Sequence, residues 1–489
     1  MKSKLRVKPT PAIAVLVCAL LGGFGKPAQA DEPFVQWANT ASNLNAVTIC
    51  SAPGGGVLSA PRNTLLRFDA DGHLVASNAI PFFEAYEIQT DTTGAIYCAG
   101  IDNHTFSVAK LNPDGTLIWK TNASNPQPGL YHGADALAIN STGSVYAIGV
   151  FQGPVSFGDA SFAEGNGLLL SRLDQDGRVL WAKRILDAEQ GPAHSLDLDP
   201  NGNIIFSGYL PPNGPMDFLG TIVYPGATQN HSGFGGDFFV AKCDPDGKLL
   251  WVRVGDLHLN DTLTDTKGMC SAVDRQGNTY YLEGAKWLGK LDPSGNLLWS
   301  KSFPGAYLRQ SLGIAIDADD EPVFCGQIGE TVSFDAIQLR SPTSDAQGFF
   351  LAKSDTNGNI RWALAGGSSS YDSPGRVTSD ALGSVFLGAT INAAGSFDGL
   401  ALPSRPDVYG QTSMLTKLSE RPQLRITNVV GLATITYPAK ATNYVLEAAT
   451  LLPAVSWSTV TNTSTVSGRD RRVQLPATGN AQFFRLRQP

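Results

Sequence analysis

Apolar and polar residues alternate in short runs along most of the chain, and a turn containing Gly separates each pair of runs. Residues 108–120, VAKLNPDGTLIWK, are one example, and similar segments occupy residues 170–184, 240–254, 288–302 and 351–365. Alternation with a period of two predicts β-strands. An Asp or Asn at the first turn position bonds its own backbone, and Gly accepts a positive φ at the last. The segments are therefore predicted to be β-hairpins.

A Trp follows the turn Gly by four residues on the outgoing strand of most copies. A large flat side chain at a fixed strand position suits packing against a neighbouring sheet. The position holds Trp37, Trp119, Trp181, Trp251, Trp299 and Trp362, with Ala76 as the exception. We interpret these six tryptophans as structural residues.

A second motif, a strand–turn–strand segment ending in Gly, alternates with the first and occurs seven times, for example as NSTGSVYAIG and DPNGNIIFSG. The first motif has six full copies and a truncated copy at residues 413–420, which lacks its outgoing strand. The segment FVQWANT at residues 34–40 matches that missing strand. The pattern predicts an all-β chain with seven four-stranded units, which the N-terminal strand closes into a seven-bladed β-propeller without a free edge.

The repeat pattern G-N-x-Y-x-x-G … F-L-A-K-L-D-P-D-G-x-L-x-W resembles the bacterial β-propeller repeat known as the SBBP repeat. The V-x-F-G/D element of that repeat is present as PVSFGD, TVSFDA and GSFDG. The resemblance covers roughly residues 34–420. It implies a secreted or surface-exposed propeller, and it implies no activity, because the family has no shared catalytic set.

The pattern changes after Glu420. Residues 422–489 contain short alternating runs separated by Gly, Pro, Asn and Ser, which is typical of a small β-sandwich. The segments YVLEAAT, WSTVT and FFRL resemble an immunoglobulin- or fibronectin-like module found at the ends of secreted bacterial proteins. We expect a propeller at residues 31–421 and an accessory module at residues 422–489, with a role in secretion or surface retention left open.

Residues 1–30 have the features of a Sec-type secretory signal peptide. Four basic residues precede an apolar stretch at residues 11–25, and Ala28-Gln29-Ala30 forms a small-residue cleavage site. Cleavage is predicted before Asp31, and no later segment is predicted to span a membrane. The expected location is secreted, periplasmic or on the bacterial cell surface.

The charge of the mature chain argues against nucleic-acid binding. Residues 1–30 carry five basic and no acidic residues, so 31 basic residues remain against 43 acidic residues, a net charge of −12. Phosphate binding needs a basic face. The five remaining cysteines, an odd number without paired spacing, are interpreted as buried packing thiols rather than a disulfide framework.

No cofactor or metal is predicted. The Asp-x-Asp-Gly turns suggest calcium, but an EF-hand loop needs Glu at its twelfth position, which is Ile80 counted from Asp69 and Gly255 counted from Asp244. The Gly-x-x-x-Trp spacing also resembles the repeats of quinoprotein dehydrogenases, but the chain has no adjacent cysteines. The six histidines show no metal-binding spacing, and no nucleophile elbow or phosphate-binding loop occurs.

Function is expected at the long, varied connections, because binding residues concentrate on variable loops of a rigid scaffold. The candidate ligand-binding residues are Tyr131, His132, Tyr209, His258 and Tyr371. No catalytic residue is identified. The favoured function is a secreted, non-enzymatic scaffold that binds a protein or a polysaccharide through its loop-rich face. The alternative is an extracellular enzyme on a propeller, such as a polysaccharide lyase, a glycosidase or a quinoprotein-like dehydrogenase, which paired carboxylates at one channel mouth would favour.

Overall fold

The computed structural model describes residues 33–487, apart from 42–47, 62, 81–83, 125–132, 164, 187–192, 211–214, 225–236, 255–268, 284–285, 308–312, 343–347, 371, 405–411, 421, 423, 430–431, 439–440, 442–443, 451–455, 468–469 and 477–481. The described part contains β-strands and turns and no helix, so the all-β prediction is confirmed. The predicted signal peptide, residues 1–30, lies outside the described residues. The contacts divide the chain into two compact units, one of Val35–Ser419 and the other of Met1–Phe34 with Glu420–Pro489.

The first three sheets follow the N-terminal strand β1 (Pro33–Ala41). The first sheet contains β2 (Ile49–Ala52), β3 (Gly56–Ser59), β4 (Thr64–Phe68) and β5 (Leu74–Ala79). The second contains β6 (Glu84–Thr90), β7 (Ile96–Asp102), β8 (Thr105–Leu111) and β9 (Leu117–Asn122). The third contains β10 (Gly133–Ile139) and β11 (Val145–Gln152), then an inserted hairpin of β12 (Val155–Phe157) and β13 (Ala160–Phe162), then β14 (Asn166–Leu173) and β15 (Val179–Arg184).

The next four sheets repeat this order. The fourth contains β16 (Ala193–Leu198), β17 (Ile204–Leu210), the hairpin β18 (Met216–Phe218) and β19 (Thr221–Val223), β20 (Asp237–Cys243) and β21 (Leu249–Val254). The fifth contains β22 (Met269–Val273), β23 (Thr279–Glu283), β24 (Trp287–Leu291) and β25 (Leu297–Ser302). The sixth contains β26 (Ala306–Tyr307), β27 (Gly313–Ile316), β28 (Pro322–Ile328), the hairpin β29 (Thr331–Phe334) and β30 (Ile337–Arg340), β31 (Gly348–Ser354) and β32 (Ile360–Ser368). The seventh contains β33 (Ser373–Ser379), β34 (Val385–Ile391) and β37 (Thr412–Glu420), and the hairpin of β35 (Gly395–Phe397) and β36 (Leu400–Leu402) that follows β34 pairs with β32 of the sixth sheet.

The four main strands of each sheet pair in chain order, and the registers described are antiparallel. The inserted hairpins β12–β13, β18–β19 and β29–β30 are separate two-stranded sheets. The seventh sheet takes its fourth strand from the other end of the chain, because β1 pairs with β37. The first strands of the seven sheets are neighbours in the order β2, β6, β10, β16, β22, β27 and β33, and β33 again lies beside β2.

A hydrophobic cluster lies between each sheet and the next. The cluster between the first and second sheets contains Leu58 and Ile96, and the others join successive sheets in the same way. One cluster joins the seventh sheet to the first, because Phe386 and Leu415 pack with Val57 and Trp37. Each sheet is therefore buried on both faces by its neighbours.

The turn between the third and fourth strands has the geometry that its sequence predicts. In the turn of the fourth sheet, Asp244 Oδ1 accepts the N–H groups of Asp246 at 3.0 Å and Lys248 at 2.8 Å. The N–H of Gly247 donates to the carbonyl of Asp244 at 2.9 Å, with φ of +72° at Gly247. The side-chain bonds hold the backbone in the turn without help from outside the segment.

The repeated Trp packs on the turn Gly of the following sheet. The ring of Trp119 in the second sheet covers Gly177 in the third, and Trp299 in the fifth covers Gly358 in the sixth. Trp119 Nε1 also donates to the carbonyl of Gln175 in that same turn, at 2.9 Å. The rings of Trp37, Trp181 and Trp251 cover the turn Gly of the following sheet in the same way, and Nε1 of Trp37 and of Trp251 also donates to a carbonyl of that turn. Trp362 is 4% exposed within the cluster between the sixth and seventh sheets. The Gly-x-x-x-Trp repeat therefore joins each sheet to its successor.

Substitution of Gly177 by Ala is expected to cost more than the same change at Gly54. Both residues have a positive φ, +82° at Gly177 and +86° at Gly54, but an added Cβ at Gly177 would lie 2.5 Å from the Trp119 ring, and one at Gly54 has no atom within 4 Å. The left-handed backbone costs about 1–2 kcal/mol at both sites, and overpacking adds about 1–3 kcal/mol at Gly177 alone. Urea denaturation of the two variants measures the difference, and equal losses would contradict the proposed Trp–Gly contact.

The V-x-F elements form the hairpins inserted between second and third strands, and their Phe side chains are core residues. Phe157 lies 5.2 Å from Phe106 of the preceding sheet, measured between ring centroids. Phe334 lies 4.8 Å from Phe303, again across two sheets. The backbone of the fourth-sheet hairpin also bonds the preceding sheet, through Leu219 N–H to Ile185 O at 3.0 Å. These insertions therefore clamp neighbouring sheets and are not free binding loops.

The segment after Glu420 forms two antiparallel sheets with one core. The first sheet contains β38 (Arg425–Val429), β39 (Leu432–Pro438), β42 (Ser464–Ser467) and β43 (Asp470–Pro476), and the second contains β40 (Val445–Ala449), β41 (Ser458–Thr459) and β44 (Phe483–Arg487). Ile435 and Val473 of the first sheet pack with Leu446 and Phe484 of the second.

Candidate functional site

The acidic residues of the repeated turns are occupied by backbone bonds. Asp199 Oδ1, in the turn between β16 and β17, accepts the N–H groups of Asn201 at 2.8 Å and Asn203 at 2.9 Å. Within the described residues, the one group of three potential metal ligands close together is Asp69, Asp71 and His73. Asp69 Oδ1 accepts the N–H groups of Asp71 and His73 there, at 3.0 and 2.8 Å. We assign no metal to this turn, because the Asp69 carboxylate already accepts hydrogen bonds from the backbone of the turn.

The Lys of the K-x-Asp segments forms a buried ion pair within its own sheet, and Lys242 also bonds the next sheet. Lys242 Nζ lies 2.7 Å from Asp199 Oδ2 in its own sheet and donates to Pro293 O of the next sheet at 3.1 Å. Lys353 Nζ lies 2.7 Å from Asp317 Oδ2. Both ammonium groups are almost fully buried, at 6% and 2% exposure of the side chain. These charges are structural, because burial removes them from any ligand.

Of the five residues predicted to bind a ligand, Tyr131, His132, His258 and Tyr371 lie outside the described residues. The fifth, Tyr209, is half-buried on β17, where it faces Phe238 of β20 across the sheet. Tyr209 is not among the residues that line the central cavity described below. The structure therefore does not bring Tyr209 to that cavity.

A cavity of about 350 Å³ lies between the first strands of the sheets. The described residues of its walls come from β2, β6, β16, β22, β27 and β33, and none of them is aromatic. Hydroxyl groups line much of it, including those of Ser51, Thr90, Ser271 and Thr378. The charged groups of the lining are Glu87, Asp197 and Arg376. This volume lies within the range of small-molecule sites.

An ion pair between Glu87 and Arg376 links β6 of the second sheet to β33 of the seventh. The Arg376 guanidinium also reaches the carbonyl of Tyr86 on β6, with Nη2 donating at 3.4 Å. Burial raises the pKa of Glu87 from 4.5 to about 7, with Arg376 opposing the rise and the charge of Asp197 adding to it. The pair joins two strands that are both neighbours of β2, so it lies across part of the cavity.

Asp197 on β16 has backbone partners for its carboxylate. Its Oδ1 accepts the N–H of Leu198 at 2.8 Å, and its Oδ2 accepts the N–H of Val273 on β22 at 3.0 Å. Burial raises the pKa of Asp197 from 3.8 to about 6, against the lowering effect of those two bonds. Asp197 keeps partial solvent exposure, because it faces the cavity. A carboxylate oxygen has more than one acceptor position, so Asp197 retains capacity for a further donor.

A hydroxyl cluster stands beside Asp197. Ser195 Oγ lies 2.6 Å from Ser207 Oγ and 2.8 Å from Ser271 Oγ, and it also accepts the N–H of Ser271 at 2.9 Å. These bonds join β16 to β22. The cavity wall is therefore a built polar surface whose hydroxyl positions are held by hydrogen bonds between strands.

The sequence analysis missed Glu87, Asp197 and Arg376, because it sought ligand-binding residues on loops. One signal was present: EAYEIQT, AHSLDL and SPGRVTS place charged residues inside strands whose neighbours bury both faces. A charge in such a strand is unusual unless that strand borders a polar space. The sequence does not indicate which of these charges face one another.

No protein-family model matches the chain, and no curated protein matches it. Among solved structures, it is similar to the crystal structure of a protein of unknown function from Bacteroides caccae at 1.35 Å resolution, with a TM-score of 0.32 and 12% identity over 52% of this chain and 81% of that one. A similarity at this level supports no functional argument. Within the described residues, no helix is long and apolar enough to cross a membrane. The resemblance to the SBBP repeat stays a prediction.

Proposed function

We propose that the seven sheets are the blades of a closed seven-bladed β-propeller of the SBBP type, and that β38–β44 form a small immunoglobulin- or fibronectin-like sandwich. The cyclic order of the first strands and the cluster between the seventh and first sheets support the propeller. The shared core of the two C-terminal sheets supports the sandwich.

The proposed function is that of a secreted, non-enzymatic scaffold, exported by residues 1–30, that binds a protein or a polysaccharide through its loop-rich face and the cavity between its first strands. The observation that carries this function is the polar cavity lined by Glu87, Asp197 and Arg376. Turn bonds and buried ion pairs occupy the polar groups of the repeats, whereas the cavity lining keeps groups that a ligand can contact. Concave polar sites of this kind on rigid folds are typical ligand sites.

A second candidate, an extracellular enzyme acting on a polysaccharide, is favoured by the two carboxyl groups in one cavity. Glycosidases use a carboxyl pair, one protonated and one ionised, and raised pKa values of about 7 for Glu87 and about 6 for Asp197 suit those roles. Binding without catalysis is preferred because the Glu87 carboxyl group forms an ion pair with Arg376 and is not free to donate a proton to a substrate. An acid that donates a proton to a leaving group must reach the substrate.

One experiment separates the two candidates. The chain without residues 1–30 is applied to a glycan array and a peptide array, and the same preparation is assayed on polysaccharides for new reducing ends and unsaturated products. We expect saturable binding on one array and no product. Product release that Glu87→Gln abolishes, and that the exposed control Asp159→Asn retains, would establish the enzyme instead. Absence of both binding and turnover would contradict the proposed function.

A further inference from the structure

We propose that the central cavity binds a primary alkylammonium group, with Asp197 as its charge partner. The proposal rests on the proposed binding function, which assigns a ligand to this cavity. It adds the chemical class of that ligand.

The charge of the lining favours a cation. Glu87 and Asp197 are the acidic residues of the lining and Arg376 is its basic residue. Because Arg376 pairs with Glu87, Asp197 has two backbone N–H donors and, among the described residues of the lining, no cationic partner. A carboxylate that is partly removed from water gains most from a ligand of opposite charge.

The available acceptors match an ammonium group better than a metal ion. An ammonium has three donors, which the Asp197 carboxylate and the Ser271 hydroxyl can accept, whereas the Ser195 hydroxyl is already filled by its bonds to Ser207 and Ser271. Calcium takes six to eight oxygen ligands, commonly with several carboxylates. Glu87 and Asp197 do not belong to a close group of three metal-ligating residues within the described part of the chain. The cavity therefore offers one carboxylate and neutral oxygens, which suits a monovalent organic cation.

No aromatic side chain is among the described residues of the lining. Quaternary ammonium groups are typically recognised by aromatic cages. A volume of about 350 Å³ accommodates a flexible alkyl chain ending in an ammonium group. Two sources carry this chemistry, the lysine side chain of a partner protein and a free alkylamine.

The neighbours of Asp197 define the expected pH dependence. The titratable groups lining the cavity from other strands are Glu87 of β6, Arg376 of β33, and the thiols of Cys50 on β2 and Cys270 on β22; Asp135 stands on the adjacent strand β10. Burial raises the pKa of both thiols, that of Cys270 to about 12, so they stay neutral near pH 7. Raising the pH from 5 to 7.5 ionises Asp197, whose pKa is about 6, and leaves an alkylammonium with a pKa of about 10.4 charged. Affinity is expected to rise over this interval.

The test is calorimetric titration of the chain without residues 1–30 with Nα-acetyl-lysine methylamide, putrescine and the uncharged Nα-acetyl-norleucine methylamide. We expect binding of an amine and not of the norleucine derivative. Tighter binding of the lysine derivative indicates a partner side chain as the source, and tighter binding of putrescine indicates a free amine. Loss of affinity on lowering the pH from 7.5 to 5 is expected for wild-type protein, and an unchanged affinity would overturn the proposal.

Charge variants test the sign of the effect. Asp197→Asn is expected to weaken amine binding about tenfold or more, corresponding to about 1.4 kcal/mol, whereas Arg376→Gln adds net negative charge to the cavity and is expected to strengthen it. Asp159→Asn, a matched change at an exposed acid, is the control, and circular dichroism checks the fold of each variant. Equal amine affinities of Asp197→Asn, Arg376→Gln and Asp159→Asn would overturn the site. If Asp197→Asn fails to fold, an affinity of Arg376→Gln no higher than that of Asp159→Asn would overturn it. If the arrays show partner binding but no amine binds, this inference fails and the proposed function stands.

Discussion

Deletion of Pro33–Ala41 is expected to lower the melting temperature by several degrees and to cause aggregation. The deletion removes β1 from the edge of the seventh sheet and leaves β37 with an unpaired edge. It also removes Trp37, which packs on Gly72 of the first sheet and donates from Nε1 to Ala70 O at 3.0 Å. Loss of a fully buried Trp costs about 3–5 kcal/mol, and Trp37 is half-buried, so the lost strand pairing accounts for the rest of the effect. The shift in melting temperature per kcal/mol falls as a domain grows, so a shift of several degrees is expected for the unit Val35–Ser419.

Thermal melts with light scattering measure this effect. Trp37→Ala and Trp119→Ala form a matched pair, because each ring covers the turn Gly of the following sheet, and Trp119 stands in an internal copy. The two point variants are expected to lose similar stability, and the deletion more than either, since it also breaks the hydrogen bond from Thr416 Oγ1 to Trp37 O, 2.8 Å long. An unchanged melting temperature after deletion would refute the role of β1 in closing the ring.

Replacement of Lys353 by Met is expected to reduce the free energy of unfolding by about 3–5 kcal/mol, the cost of leaving a buried charge unpaired. Lys353 Nζ lies 2.7 Å from Asp317 Oδ2 and 3.2 Å from Glu321 Oε2, and the exposed fractions of the Lys353 and Asp317 side chains are 2% and 1%. Without the ammonium group, two carboxylates remain in a buried site. Urea denaturation, followed by tryptophan fluorescence, measures the loss.

Lys301→Met is the matched control for this prediction. Lys301 Nζ lies 3.8 Å from Asp335 Oδ2, and the two side chains are 28% and 53% exposed, so its loss should cost about 1 kcal/mol or less. The double variant Lys353→Met with Asp317→Asn is expected to recover part of the stability, since it removes the carboxylate that loses its cation, whereas Glu321 keeps Arg361 as a partner. Equal destabilisation by Lys353→Met and Lys301→Met would show that burial does not determine how much these ion pairs contribute to stability.

The local elements were predictable because their causes lie within a few residues. The Asp at the first turn position and the Gly at the last specify the hairpins, as the bonds of Asp244 show. The fixed position of the Trp indicated contact with a neighbouring sheet. The partner of that Trp was not predictable, since Trp119 covers Gly177, a residue from a different repeat. In the first sheet the Trp position holds Ala76, and Asn78 covers Gly115 instead. This replacement was not predictable either, because it depends on which side chain has the shape to reach the Gly.

The central cavity depends on contacts between distant parts of the chain. Glu87, Asp197 and Arg376 stand on strands of the second, fourth and seventh sheets, and no spacing in the sequence relates them. Sequence reasoning turned instead to aromatic residues on connections, of which Tyr209 is the described example, and it stands on a strand outside the cavity lining. By itself the sequence determined the strands, the turns and the repeat, because period-two alternation and turn chemistry act locally. Only the tertiary structure decided that Arg376 pairs with Glu87 and that Asp197 keeps a carboxylate facing the cavity, because charge pairing and burial depend on how the sheets are arranged around a common centre.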